Sequence, residues 1–276
     1  MKTTIQNKSR GTAAFTLIEL LTVIAIIAIL AAILLPVLSS ATTRAKKAKA
    51  ATEIAQIRSG IEQYESQYTR MPVSAAVQSS GLSTITYGGV YVNKGSPQVT
   101  WPLPAAYFMA GSTNGNYMPS NSDVIAILMD ITNYPNGGPT VNLNHQKNPQ
   151  GTKFLNATIA PSTNYPGVGP DLNYRDPWGN LYLITMDLNE DDKTEDLFYK
   201  LPAVSSSTGV SGSPGLVGLL AQPVSPGGDG NYFSHGNVMV WSMGPDGPIN
   251  SSPSSFDTTL PANNGANKQH ILSWTQ

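Results

Sequence analysis

The densest run of potential oxygen ligands in the 276-residue sequence is Asp187-Leu188-Asn189-Glu190-Asp191-Asp192-Lys193-Thr194-Glu195-Asp196. Within it Asp187, Asn189 and Asp191 form a D-x-N-x-D pattern. In a tight loop that spacing turns three oxygen-bearing side chains toward one centre, as the hard cation Ca²⁺ requires. The pattern departs from an EF-hand loop, because its sixth position is Asp192 instead of glycine and its twelfth is Phe198 instead of glutamate. Two readings therefore stand: a Ca²⁺ loop, or a solvated acidic hairpin between strands Leu181–Met186 and Leu197–Tyr199, with Lys193 offsetting part of the charge. Other chemistry has less to work with. His145, His235 and His270 sit in polar, Gly/Asn-rich surroundings without an HExxH or G-x-S-x-G pattern, and read as surface or loop residues. Gly227-Gly228-Asp229-Gly230 is followed by no Lys-Ser/Thr pair and reads as a turn. The sequence has no cysteine, which excludes disulfides, thiolate metal sites and thiol catalysis. No enzyme is expected. One further carboxylate is conspicuous: Glu19, the sole charge in a long apolar run.

That run, Phe15 to Leu38, is about 24 residues and as a helix spans roughly 36 Å, enough to cross a ~30 Å hydrocarbon core. It is too long for the apolar core of a cleaved secretory signal, and its small-residue site precedes it. A plain membrane anchor would leave Glu19 unexplained, since an intramembrane carboxylate costs roughly 2–3 kcal/mol and wants a partner. The preceding residues, MKTTIQNKSRGTAA, carry Lys2, Lys8 and Arg10 and no acid. Past Pro36 the helical pattern continues to about Tyr68. Ile54, Ile57, Ile61, Tyr64 and Tyr68 recur at spacings of three and four, an apolar stripe for a domain to pack on. Met71-Pro72 ends it. Arg44, Lys46, Lys47 and Lys49 form a basic cluster just beyond the apolar run.

From residue 71 onward Gly, Pro, Asn and Ser punctuate short apolar runs. Leu82–Tyr87 and Gly89–Val92 read as a β-hairpin or an extended loop, and Ser122 or Asn121 caps a helix through Val124–Met129. Pro177 and Gly179 set a tight turn ahead of a strand. Trp101, Tyr107, Phe108, Tyr117 and Tyr232 read as core and β-surface aromatics, with a glycan-binding face as the alternative. Charged residues are 12% of the sequence against a usual ~25%. Sixteen Lys+Arg against seventeen Asp+Glu gives a net charge of −1, so no electrostatic feature calls for nucleic acid.

Phe15-Thr16-Leu17-Ile18-Glu19-Leu20-Leu21 resembles the N-terminal signature of type IV pilins and type II secretion pseudopilins. Asp176-Pro177-Trp178-Gly179-Asn180-Leu181-Tyr182 is similar to the D-P-W-G-N-x-Y segment of the major (G-type) pseudopilins. Val238–Gly247 resembles their strand followed by S-x-G-x-D-G, and Ile271–Trp274 their closing segment. The resemblance implies an α+β fold: a long N-terminal helix packed on a small antiparallel sheet with long loops. It implies a leader, residues 1–14, removed by a prepilin peptidase between Ala14 and Phe15, with N-methylation of Phe15. In the family glycine usually precedes the cut; here Ala14 does.

The same resemblance makes Glu19 the counter-charge to the N-terminal amine of a neighbouring subunit and Pro36 a helix-kinking position. It divides the chain into leader, helix 15–70 and globular region 71–276, in which 72–170 is an elaboration and 171–276 the pseudopilin-like part. It puts a second calcium ligand at Asp246, although Asn267-Lys268-Gln269-His270 replaces the family's later carboxylates and leaves Asp257 as the only other acid in that loop. Calcium is thus optional and no cofactor is required. Expected partners are further copies of the chain, the prepilin peptidase, an inner-membrane assembly platform, minor pseudopilins and membrane lipid. The implied setting is a single pass through the inner membrane with the globular region periplasmic, and the implied role is a filament driving protein export. The alternative is a surface type IV pilin or minor pilin for adhesion, motility or glycan binding.

Overall fold

A computed structural model of the chain describes residues 16–88, 117–118, 120–207, 215–222, 230–246 and 261–274. Ala14, Phe15, Gly89–Val92, Trp101, Tyr107, Phe108, Asp257 and the side chains of Pro36, Tyr117 and Asp246 lie outside the described residues. Helix α1 runs from Leu17 to Tyr68, 52 residues. The chain divides into two compact units, residues 1–45 and 46–276.

In the first unit α1 is apolar all round. Leu17, Ile18, Leu20, Leu21 and the large aliphatic residues through Leu38 are all exposed. A helix without a polar face has nothing to present to water, and this one is long and apolar enough to cross a membrane.

The second unit is α+β. In chain order its elements are the remainder of α1, α2 (Ala75–Gln78), β1 (Thr84–Tyr87), β2 (Tyr117–Met118), α3 (Ser122–Leu128), β3 (Gly167–Val168), β4 (Tyr174–Arg175), β5 (Leu183–Asp187), β6 (Lys193–Thr194), α4 (Pro202–Ser205), β7 (Leu220–Ala221), β8 (Tyr232–His235), β9 (Val238–Ser242) and β10 (Ile271–Leu272). The main sheet has the order β10-β9-β5-β1-β2, antiparallel except for the β1–β2 edge. Period-2 alternation sorts its side chains onto two faces. Ile85, Tyr87, Ile184, Met186, Val238 and Val240 join Ile54, Ile57, Ile61 and Tyr64 of α1 in one core. Leu183, Met239 and Trp241 face the other way, against Phe198, Tyr199, Val204, Leu219 and Tyr232. Burial on both faces accounts for the apolar run Val238–Trp241 of β9, and every residue of β5 is buried as well. Each aliphatic residue of the α1 stripe contributes roughly 1.5–3 kcal/mol by leaving water. At Gly60 the backbone of Phe154 approaches so closely that a Cβ would fall 2.9 Å from its carbonyl oxygen.

Two expectations are corrected. Leu197–Tyr199 is a turn, because Asp196 Oδ1 accepts both the Phe198 and Tyr199 amides at 3.0 Å, donors a strand would need for its ladder. The partner of the acidic segment is instead β8, paired with β6 through Lys193↔His235 and Thr194↔Ser234. Asn121 precedes α3 but gives it no side-chain cap. Its amide joins two other chain segments, donating to Tyr174 O and Tyr182 O at 3.0 Å and accepting from Tyr174 N at 2.9 Å. Tyr232 is buried, in keeping with its reading as a core aromatic.

Candidate functional site

α1 begins with a reciprocal capping box. Thr16 Oγ1 accepts the Glu19 amide at 3.3 Å, while Glu19 Oε2 accepts the Thr16 amide at 2.8 Å and its hydroxyl at 2.7 Å. T-x-x-E at a helix start satisfies donors that the helix itself leaves orphaned. It also holds the carboxylate at the positive end of the macrodipole. Both side-chain bonds fall on Oε2, and Oε1 has no partner among the described residues. Glu19 is thus fixed in the first turn with one oxygen available to a cation. The signal for Thr16 stood in the sequence as Thr-x-x-Glu, but the apolar run drew the reading to Glu19 alone.

Two sequence blocks that lie 66 residues apart meet inside the second unit. Asp176 is fully buried, and its Oδ1 accepts the amides of Trp178 and Asn180, both at 2.9 Å. Oδ2 accepts Ser242 Oγ at 2.6 Å and Asn180 Nδ2 at 3.3 Å, and that same Nδ2 donates to Gly244 O at 3.2 Å. Burial pushes the Asp176 carboxyl upward, against the lowering effect of these four donors. Gly244, at φ +72, turns the chain where a Cβ would strike Gln269 O. Aspartate, asparagine and serine at these positions therefore form one network closing the β4–β5 turn onto the end of β9. Ile271–Leu272 completes it as the edge strand β10, with Ser273 Oγ accepting Val240 N at 2.9 Å.

The acidic stretch is built as a turn. Asp187 Oδ1 accepts the Asn189 and Glu190 amides and Oδ2 the Asp192 amide, each at 3.0 Å. Asp191 Oδ1 accepts the Lys193 amide at 3.1 Å. Asn189, Glu190, Asp191 and Asp192 are exposed, whereas Asp196 is buried, taking Thr185 Oγ1 at 2.7 Å and Trp241 Nε1 at 3.1 Å. The backbone of Asp246 ends a short turn beyond the Ser242 end of β9, while Asp187 pairs near the Val238 end, so these two residues lie at opposite ends of that strand. Among the described residues no group of three or more His, Asp or Glu is gathered as for a metal.

The histidines are all paired. His145 Nδ1 lies 2.7 Å from Asp130 Oδ1, His235 Nδ1 2.8 Å from Asp192 Oδ2, and His270 Nδ1 2.7 Å from the Tyr199 hydroxyl. The first two join loops at the surface. His270 is half-buried against Trp241, with ring centroids 4.8 Å apart, and is part of the core.

A carboxylate that sequence reading missed holds α1 to the sheet. Glu53 is buried, and its Oε2 accepts the Tyr182 hydroxyl at 2.5 Å. The Tyr174 ring stands edge-on to Tyr182 at 5.1 Å, and burial together with the Glu53 charge raises the pKa of its hydroxyl.

The chain thus combines a helix long and apolar enough to cross a membrane, with a capped carboxylate in its first turn, and an α+β unit. Residues 9–35 match the model of the prokaryotic N-terminal methylation motif, a match that supports the type IV pilin and pseudopilin family. The motif implies processing by a prepilin peptidase and pilus-type assembly. No curated protein and no solved structure matches the chain.

Proposed function

We propose that this type IV pilin-like subunit is a pseudopilin of a type II secretion machine. In this reading the peptidase cuts between Ala14 and Phe15 and methylates Phe15. Subunits then stack by α1 in the inner membrane, with Glu19 taking the new amine of a neighbour. Growth of the fibre on its assembly platform, topped by minor pseudopilins, pushes cargo outward. A carboxylate and an amine, each costly in lipid, become one pair on assembly.

The observation that carries the secretion role is the Asp176–Ser242 contact. It joins the two blocks that resemble the major pseudopilins into one buried network. The test is a deletion strain scored for exported proteins, surface filaments and motility. Loss of export with filaments and motility intact is expected. Normal export with lost surface filaments would overturn the secretion role in favour of a surface pilin.

A further inference from the structure

The sequence that follows α1 is short of acid. From Ser66 to Pro170 its only carboxylates are Asp123 and Asp130. Asp130 is engaged by Asn142 and His145, and Asp123 stands in the first turn of α3. Two cations nonetheless meet in this part of the second unit. Arg70 comes just after Thr69 has turned the chain at φ +52, and its Nη2 donates to Lys147 O at 3.1 Å. The same carbonyl accepts the Tyr64 hydroxyl at 2.5 Å, and the Lys147 amide donates to Asn142 Oδ1 at 3.2 Å. Lys147 is only 9% exposed, and its ammonium donates to Gln78 Oε1 at 3.2 Å. Backbone and side chain of Lys147 are therefore both held in place.

The positive charge so gathered has no counter-charge. Neither Arg70 nor Lys147 forms an ion pair among the described residues. The Arg70 guanidinium stands 5.8 Å from the centre of the Tyr68 ring, and its Nε is buried without a hydrogen-bond partner. Burial, and after it the charge of Arg70, hold the Lys147 ammonium below the usual lysine pKa. The negative end of α1 offsets only part of this. A helix C-terminus is equivalent to roughly −0.5 charge, which against two full cations leaves about +1.5. A carboxylate would neutralise one unit of that excess. A phosphate group, at about −1.5 to −2 near pH 7, matches the whole of it and accepts from several donors at once.

We propose that Arg70 and Lys147 form a binding site for one phosphate group, with the Gln78 amide beside it. Lys147 supplies a compact charge and Arg70 a planar set of donors, two complementary ways of holding phosphate oxygens. The phosphate is either free in solution or carried as a monoester on a larger molecule, and the recognition chemistry is the same. The site does not depend on the secretion role.

The test titrates the full-length protein in neutral detergent with inorganic phosphate, with glycerol 3-phosphate, and with sodium chloride at matched ionic strength. Phosphate should raise the melting temperature by a few degrees where chloride does not, and the phosphorus NMR line of the added phosphate should broaden. Lys147→Met and Arg70→Gln should each weaken binding about tenfold. Lys153→Met, at an exposed position, should leave it unchanged. In phosphate-free buffer Lys147→Met should melt no lower than the unaltered protein, because no counter-charge is lost. A response to both phosphates supports the site for either form, and a response to glycerol 3-phosphate alone assigns it to an esterified phosphate. No effect of either phosphate beyond that of chloride would overturn the proposal. So would a lower melting temperature of Lys147→Met with an unchanged phosphate response, which would make the lysine a brace for its loop.

Discussion

Both carboxylate oxygens of Asp187 accept amides from the turn that Asp187 opens. The D-x-N-x-D pattern was legible, but the spacing of oxygen-bearing residues is shared by Ca²⁺ loops and by aspartate-capped turns. Only the direction of the backbone amides separates the two. The consequence is measurable. Asp187→Ala should lower unfolding stability by about 1 kcal/mol, because three amides of the turn lose their side-chain acceptor. Chelator or added Ca²⁺ should leave the melting temperature of the unaltered protein where it is. A rise of several degrees in Ca²⁺, removed by Asp187→Ala with Asp191→Ala, would show instead that the turn binds the ion as well as its own amides.

Helix α1 shows how far an element can be read locally. Its length, its apolar first half and the stripe from Ile54 to Tyr68 follow from composition and 3.6-residue periodicity; Ile54, Ile57, Ile61 and Tyr64 are buried where the spacing puts them, and Tyr68 at the helix end is half-buried. Glu53 shares that buried side and could not be read the same way. Its partner, Tyr182, lies 129 residues away, and no local pattern reports it. The same limit applies to Asp196, which looks like one more acid in a solvated stretch yet sits beneath Trp241 and Thr185. Leu197–Tyr199 failed as a strand for that reason, since its amides go to the Asp196 side chain. The α1–sheet contact gives a further prediction. Tyr182→Phe should destabilise the protein by roughly 1–3 kcal/mol, because it leaves a buried carboxylate short of a donor. Glu53→Gln should cost less, since its carbonyl oxygen still accepts the Tyr182 hydroxyl. Urea unfolding of both variants checks this. Equal stability of Tyr182→Phe and the unaltered protein would mean that water replaces the lost hydroxyl and that the contact does not hold the helix.

At the scale of the whole molecule, the two units answer to different solvents. The first exposes aliphatic side chains on every side of α1, while the second buries its own on both faces of a sheet. One charge, Glu19, interrupts the apolar run from Phe15 to Leu38, and it is held at the helix start by Thr16, with Oε1 unengaged among the described residues. Glu19→Val therefore separates insertion from assembly. Insertion should be unchanged or improved, because a group costing roughly 2–3 kcal/mol in lipid is removed while the apolar length is kept. Stability of the second unit should not move, since the Glu19 side chain bonds Thr16 of its own unit. Polymerisation should fall steeply, because the amine freed ahead of Phe15 on a neighbouring subunit would enter an apolar stack without a counter-charge. Glu19→Gln tests the charge apart from the cap: its amide oxygen still accepts from Thr16, so the helix start survives while the pairing is lost. Membrane fractionation, mass spectrometry of the N-terminal peptide and filament yield read these steps one by one. The expected pattern is normal insertion, a mature terminus at methylated Phe15 and few filaments in both variants. Normal filament yield from Glu19→Gln would show that the cap, and not the charge, is what assembly requires.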